Sequence, residues 1–126
     1  MKIINSNEAP KAVGPYSQGV IVQNTLYVSG QLPFNPEQMV LISKDIKDQT
    51  HQCLKNVLSI VKSAGFELED IVKCTVYMTD LNQFELMNET YATFFKNHKP
   101  ARVTIEVSKL PKNVSIEIDA IAHKEI

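Results

Sequence analysis

Arg102 is the residue of this chain best suited to grip an anion. It lies in Ala101-Arg102-Val103-Thr104-Ile105, where alternation sets Arg102 and Thr104 against Val103 and Ile105. A guanidinium keeps its charge at any working pH, so among apolar neighbours it needs an anionic partner. Its fork of N–H donors matches a carboxylate, each charge-assisted bond contributing roughly 1.5–3 kcal/mol. Two kinds of partner satisfy the pattern. One is a small acid held in a cleft; the other is a cross-strand carboxylate such as Glu106, Glu117 or Asp119. Taken alone, alternation favours the ion pair.

Glu117 is the second chemical candidate, set between Ile116 and Ile118 on the polar side of a strand. Desolvation raises the pKa of such a carboxylate and suits it to hold a water or shuttle a proton. If a hairpin joins the last two strands, it is instead the structural partner of Arg102, and taken alone the salt bridge is the favoured reading. Tyr16, in the turn Gly14-Pro15-Tyr16-Ser17-Gln18-Gly19, offers a phenol to a ligand or packs its ring at a sheet edge. In Ser29-Gly30-Gln31 the glycine permits close approach of a ligand, or marks a β-bulge. Asn88 borders an aromatic helix stripe, where its amide bonds a loop or a ligand.

The elements that must hold these residues follow from periodicity. Val20-Ile21-Val22 and Leu26-Tyr27-Val28 flank Gln23-Asn24-Thr25 and predict a hairpin. Pro33 and Pro36 make the stretch from Gln31 to Glu37 a loop, with a possible short strand over Met39–Ile42. Ile46, Cys53, Leu54, Val57, Leu58 and Val61 form one stripe of a helix from Asp45 to Ala64, stopped by Gly65. A strand follows over Ile71–Met78. A second helix carries Phe84, Met87, Tyr91, Phe94 and Phe95 and must end before Pro100. Two last strands, Ala101–Val107 and Val114–Ala122, alternate cleanly. The expected order is β-β-(β)-α-β-α-β-β, an α/β (α+β) single domain over residues 1–126 with two helices on one face of a sheet.

Composition narrows the functional classes. The 126 residues suit one compact domain. A net charge of −1 and the absence of a basic run argue against nucleic acid as a partner. The apolar runs are far shorter than the roughly 20 residues a membrane-spanning helix needs. Met1-Lys2-Ile3-Ile4 turns polar at once, unlike a secretory signal, so the expected location is cytoplasmic. Cys53 and Cys74 then read as buried free thiols. His51, His98 and His123 have no metal-ligand spacing, and no metal is expected.

Two helices cover one sheet face, yet consecutive apolar residues in the first hairpin make both faces apolar. A second apolar face left in water marks an association surface. Oligomerisation is therefore expected from the pattern, without fixing the number of subunits.

Several segments also occur in a telling order: Gly14-Pro15-Tyr16-Ser17-Gln18-Gly19, Ser29-Gly30-Gln31, Asn88 within Phe84-Glu85-Leu86-Met87-Asn88-Glu89, Pro100-Ala101-Arg102, and Leu110-Pro111-Lys112 before Ile116-Glu117-Ile118. Together they resemble the signature of the RidA (YjgF) family of reactive-intermediate deaminases along nearly the whole chain. The resemblance implies a chorismate-mutase-like single mixed sheet with two helices on one face, assembled as a homotrimer with interfacial clefts. It implies a 2-iminobutanoate/2-iminopropanoate deaminase, a hydrolase acting on C=N bonds without a cofactor. Such an enzyme clears the enamines and imines released by pyridoxal-phosphate-dependent serine and threonine dehydratases, yielding 2-keto acids and ammonia. In that reading Arg102 clamps the substrate carboxylate and Glu117 positions or activates water. Ser29, Gly30, Tyr16, Asn88 and Thr104 shape the cleft. Many members carry Cys where this chain has Thr104, so thiol chemistry is not expected at that position. The rival readings are a non-enzymatic trimer that binds 2-keto acids, an RNA-cleaving or translation-inhibiting protein, and a chaperone-like role.

Overall fold

The computed structural model describes residues 1–125. The chain forms β1 (Lys2–Ile4), β2 (Gly19–Val22), β3 (Thr25–Gln31), α1 (Ile46–Ser63), β4 (Ile71–Met78), α2 (Phe84–Phe95), β5 (Ala101–Glu106) and β6 (Ile116–His123). The strands make a single six-stranded sheet in the order β1-β2-β3-β6-β4-β5. It is mixed: β4 and β5 run parallel across the α2 connection, and every other pair is antiparallel.

The expected helices and most strands are present, with three corrections. A strand precedes the first hairpin, because Ile3 pairs with Val20. Over 39–42 there is no strand, only an isolated bridge between Phe34 and Leu41. The last two strands do not pair with each other. Instead β4 lies between them, and β6, inserted at the centre, pairs with both β3 and β4.

The core lies between the sheet and both helices. Leu26 and Val28, Cys74, Val76 and Met78, and Ile116, Ile118 and Ala120 are buried from the sheet side. Leu54, Val57, Ile60 and Val61 of α1, with Met87, Tyr91 and Phe95 of α2, meet them from above. Asp45 caps α1 in an extended conformation, and Gly65 leaves it at φ +87°, where a side chain would be strained. Both cysteines are buried and free. No helix of residues 1–125 is long and apolar enough to cross a membrane.

The opposite sheet face has no covering layer within the chain. Register aligns Ile3, Val20, Tyr27 and Ile121 across it, then Thr75 with Asp119, Tyr77 with Glu117, and Val103 and Ile105 at the edge. Tyr27 is 46% exposed, and Val103 and Ile105 are each 40% exposed. The apolar parts of this face, at the β1–β3 end and along β5, are what the sequence pattern anticipates, and Lys73, Thr75, Asp119 and Glu117 lie between them.

The segment between β1 and β2 is fixed by one buried side chain. Gln18 Oε1 accepts from the Ser6 amide at 2.6 Å, and Nε2 donates to the Ser6, Ala9 and Pro10 carbonyls at 3.1, 3.4 and 2.8 Å. This side chain replaces the ladder that an irregular segment lacks. Gln18→Ala would leave the Ser6 groups buried without partners. It should lower unfolding stability by about 2–4 kcal/mol in a urea titration; a midpoint equal to wild type would contradict the assignment.

Candidate functional site

Ser29 and Gly30 together face the single residue Asp119, because the β3–β6 register shifts between Val28 and Gln31. The result is a β-bulge, a device that re-aims side chains beside functional sites. Ser29 anchors it: its amide donates to Gln18 O at 2.9 Å and its hydroxyl to Ser17 O at 2.6 Å. The absence of a side chain at Gly30 lets the Glu117 carboxylate lean across the backbone. A Cβ there would fall onto Glu117 Oε2 and lie 2.8 Å from its Cδ.

Glu117 therefore projects from the open sheet face into a cavity of about 450 Å³, whose lining includes Lys11, Tyr16, Ser29, Gly30 and Leu32. Tyr16 is 52% exposed at its mouth. Glu117 forms no ion pair among the described residues. Burial, with a further push from the charge of Asp119, raises its carboxyl above the usual range. A carboxylate so placed can take a proton from water and return it.

Arg102 lies elsewhere. It registers with Cys74, whose side chain is in the core, so it points to the helix-covered face while Val103 points to the open one. The alternation is as expected, but the polar set of β5 faces the helix layer. Arg102 Nη1 donates to Asn88 Oδ1 at 2.8 Å, and its Cζ lies 4.7 Å from the Tyr91 ring centroid and 5.6 Å from that of Phe84. Phe84, Asn88 and Tyr91 stand at i, i+4 and i+7, so one stripe of α2 presents ring, amide and ring to the guanidinium. That spacing was visible in the sequence; only the meeting with Arg102 was not.

No carboxylate pairs with Arg102 among the described residues. The cross-strand ion pair is therefore absent, and so is the hairpin that would have brought Glu117 to it. A cavity of about 400 Å³ opens beside Arg102, lined by Asn88, Tyr91, Phe95, His98 and Lys99 among others. Thr104 shares its face, with Oγ1 buried and unpartnered, as is Tyr91 Oη. Burial pushes the Tyr91 phenol up and the neighbouring Cys74 thiol to about 11, so both remain protonated. Burial also raises Cys53 well above its usual value. Neither thiol is a ready nucleophile.

The sequence candidates thus fall into two groups on opposite faces. Tyr16, Ser29 and Gly30 gather around Glu117, and Asn88 and Thr104 accompany Arg102. The two cavities share no lining residue. Tyr91, Phe84, Tyr77 and Asp119 join these groups in the structure.

Comparison with known proteins is consistent along the whole chain. The family model described as endoribonuclease L-PSP matches residues 6–124. A RutC family protein of Pyrococcus horikoshii is 50% identical over 124 residues, covering 98% of each chain. The 2-iminobutanoate/2-iminopropanoate deaminase of Escherichia coli is 48% identical over 124 residues, covering 96% of each. The crystal structure of E. coli TdcF with bound serine superposes with a TM-score of 0.95 at 43% identity, covering 99% of this chain and all of that one. With a family model spanning nearly the whole sequence and relatives close to half identical, the chain belongs to the endoribonuclease L-PSP family, also called the YjgF/RidA family.

Proposed function

We infer that the protein hydrolyses 2-imino acids to 2-keto acids and ammonia, at sites completed between copies of the chain. The observation that carries this reading is Arg102: a half-buried cation, oriented by Asn88 and two aromatic rings, with no anionic partner among the described residues. A substrate carboxylate supplies that partner. The deaminase name of the E. coli relative supports the same chemistry. The family description also carries a ribonuclease name, but a net charge of −1 offers little to neutralise a phosphate backbone.

The division of labour follows from the geometry. Arg102 fixes the carboxylate, and Glu117 holds a water against the C=N carbon. As the water oxygen bonds to that carbon, Glu117 takes its proton and the imine nitrogen is protonated. The carbinolamine then collapses: Glu117 relays the hydroxyl proton to the amino nitrogen, the C–N bond breaks, ammonia leaves and C=O forms. Water is consumed and no redox partner is needed. The carbon is electrophilic before binding, so orientation and one proton shuttle are the protein's main contributions.

Arg102 and Glu117 leave opposite faces of the sheet, so one chain does not hold both against one small substrate. Docking the open apolar face of one copy beside the β5 edge of another brings the two halves together. The open face then loses its water contact, worth roughly 25 cal/mol per Å² before association costs. A closed trimer, each cleft shared by neighbours, is the arrangement we propose.

Two outcomes test the reading. With a serine or threonine dehydratase generating imine, added protein should speed 2-keto acid release, and Arg102→Lys should lower kcat/KM roughly 10- to 100-fold, the worth of one charge-assisted hydrogen bond. No acceleration despite 2-keto acid binding would make the protein a sensor instead. Ile105→Glu, on the open face, should convert the trimer to monomers in sedimentation and abolish turnover; active monomers would refute the shared cleft.

A further inference from the structure

The open face carries a second acid beside Glu117 that the reaction described above does not use. Asp119 lies two residues along β6 on the same face, about 7 Å away along an extended strand. Its carboxylate is held at both oxygens: the Thr75 amide donates to Oδ1 at 3.0 Å, and the Tyr77 hydroxyl donates to Oδ2 at 3.2 Å. Register explains both contacts, since Thr75 faces Asp119 and Tyr77 faces Glu117 across the β4–β6 ladder. Tyr77 is thus wedged between the two acids and hydrogen-bonded to only one of them. Lys73 of β4 lies on the same face opposite Ile121, exposed and four residues from Tyr77. Half-buried polar groups are costly unless each is satisfied, and here Asp119 and Tyr77 satisfy each other while the Glu117 carboxylate is left for the cavity.

We propose that Asp119, held by the Thr75 amide and Tyr77, is a positioning residue: a fixed negative charge that keeps the Glu117 carboxyl able to accept and release a proton. Its catalytic consequence rests on the deaminase reading; the electrostatic relation to Glu117 does not. The other groups around Glu117 leave this role to Asp119. From β4 there is Tyr77, whose phenol is raised by burial and by Asp119 and so stays a donor. From the bulge come Ser29 and Gly30, which do not titrate. The segment before β2 contributes Tyr16 and Lys11, and the turn before β6 contributes Lys112. Both lysines are exposed, where water screens their opposing effect. Behind the sheet, Cys53 of α1 is neutral. Asp119 is the source of negative charge that pushes Glu117 upward alongside burial.

The sign follows. Glu117 works as a base only when deprotonated, so activity is lost as pH falls through its titration. Removing the neighbouring charge eases deprotonation and moves that loss to lower pH. Burial remains in the variant, so only the part of the upward push that comes from Asp119 is lost. Asp119→Asn is the apt variant, because an amide can accept from the Thr75 amide and donate to the Tyr77 hydroxyl, removing charge while keeping both bonds. Asp119→Ser removes the charge by another route should the amide variant not fold, and Asp119→Glu restores it.

The experiment follows the Glu117 side-chain carboxyl by carbon NMR through a pH titration of the assembled protein, its signal identified by loss in Glu117→Gln. The pH dependence of kcat/KM is measured on the same samples. The proposal expects the NMR midpoint and the acid limb to fall together in the Asn and Ser variants and to stay near wild type in the Glu variant. A midpoint unmoved in both charge-free variants would overturn it. If the midpoint moves but no sample hydrolyses imine, the deaminase reading fails and the electrostatic role of Asp119 stands.

Discussion

A single sheet carries Arg102 and Glu117 on opposite faces, and the rest of the structure answers to that constraint. Arg102 points toward α2 because its register partner, Cys74, points into the core. Glu117 points away from the helices because Ile116 and Ile118, its neighbours in β6, are wholly buried beneath them. Neither side chain can change face without inverting its strand. The uncovered face and the separation of Glu117 from Arg102 are therefore one fact. In the proposed reading, a second copy both covers this surface and brings Glu117 to the anion held by Arg102.

The two groups are prepared by opposite means. Arg102 is kept unpaired: an amide and two aromatic faces orient it without neutralising it, so its remaining donors are available to an anion. Glu117 is kept hard to ionise by burial, and Gly30 gives it room to cross the bulge. Polar side chains are also gathered beside Arg102. Thr104 Oγ1 and Tyr91 Oη are buried without partners on the Arg102 side, an uncommon condition for native side chains. Burial holds both thiols protonated.

Local periodicity carried much of this architecture. The stripe through Cys53, Leu54, Val57 and Val61 and the stop at Gly65 defined α1, and Phe84, Met87, Tyr91 and Phe95 defined α2. Alternation also placed Arg102 with Thr104 and Glu117 with Asp119 on common faces. What it could not give was the order of strands, because pairing between distant segments leaves no local period. The insertion of β6 between β3 and β4 moved Glu117 away from Arg102 and removed the hairpin expected between the last strands. Alternation likewise cannot say which face the helices cover, and β5 presents its polar set to them. The strand expected near Met39 failed for a local reason: Asn35 Oδ1 accepts from the Glu37 and Gln38 amides, and Met39 takes a positive φ, forming a turn.

The shared cleft is tested most directly by complementation. Arg102→Gln and Glu117→Gln proteins, each inactive alone, are unfolded, mixed in equal amounts and refolded together. If each site takes its guanidinium from one copy and its carboxylate from the next, random assembly leaves roughly a quarter of the sites with both native groups, and that share of wild-type imine hydrolysis should return. Mixtures that assemble into mixed oligomers yet stay as inactive as either parent would show that both groups act from a single chain, and would contradict the account.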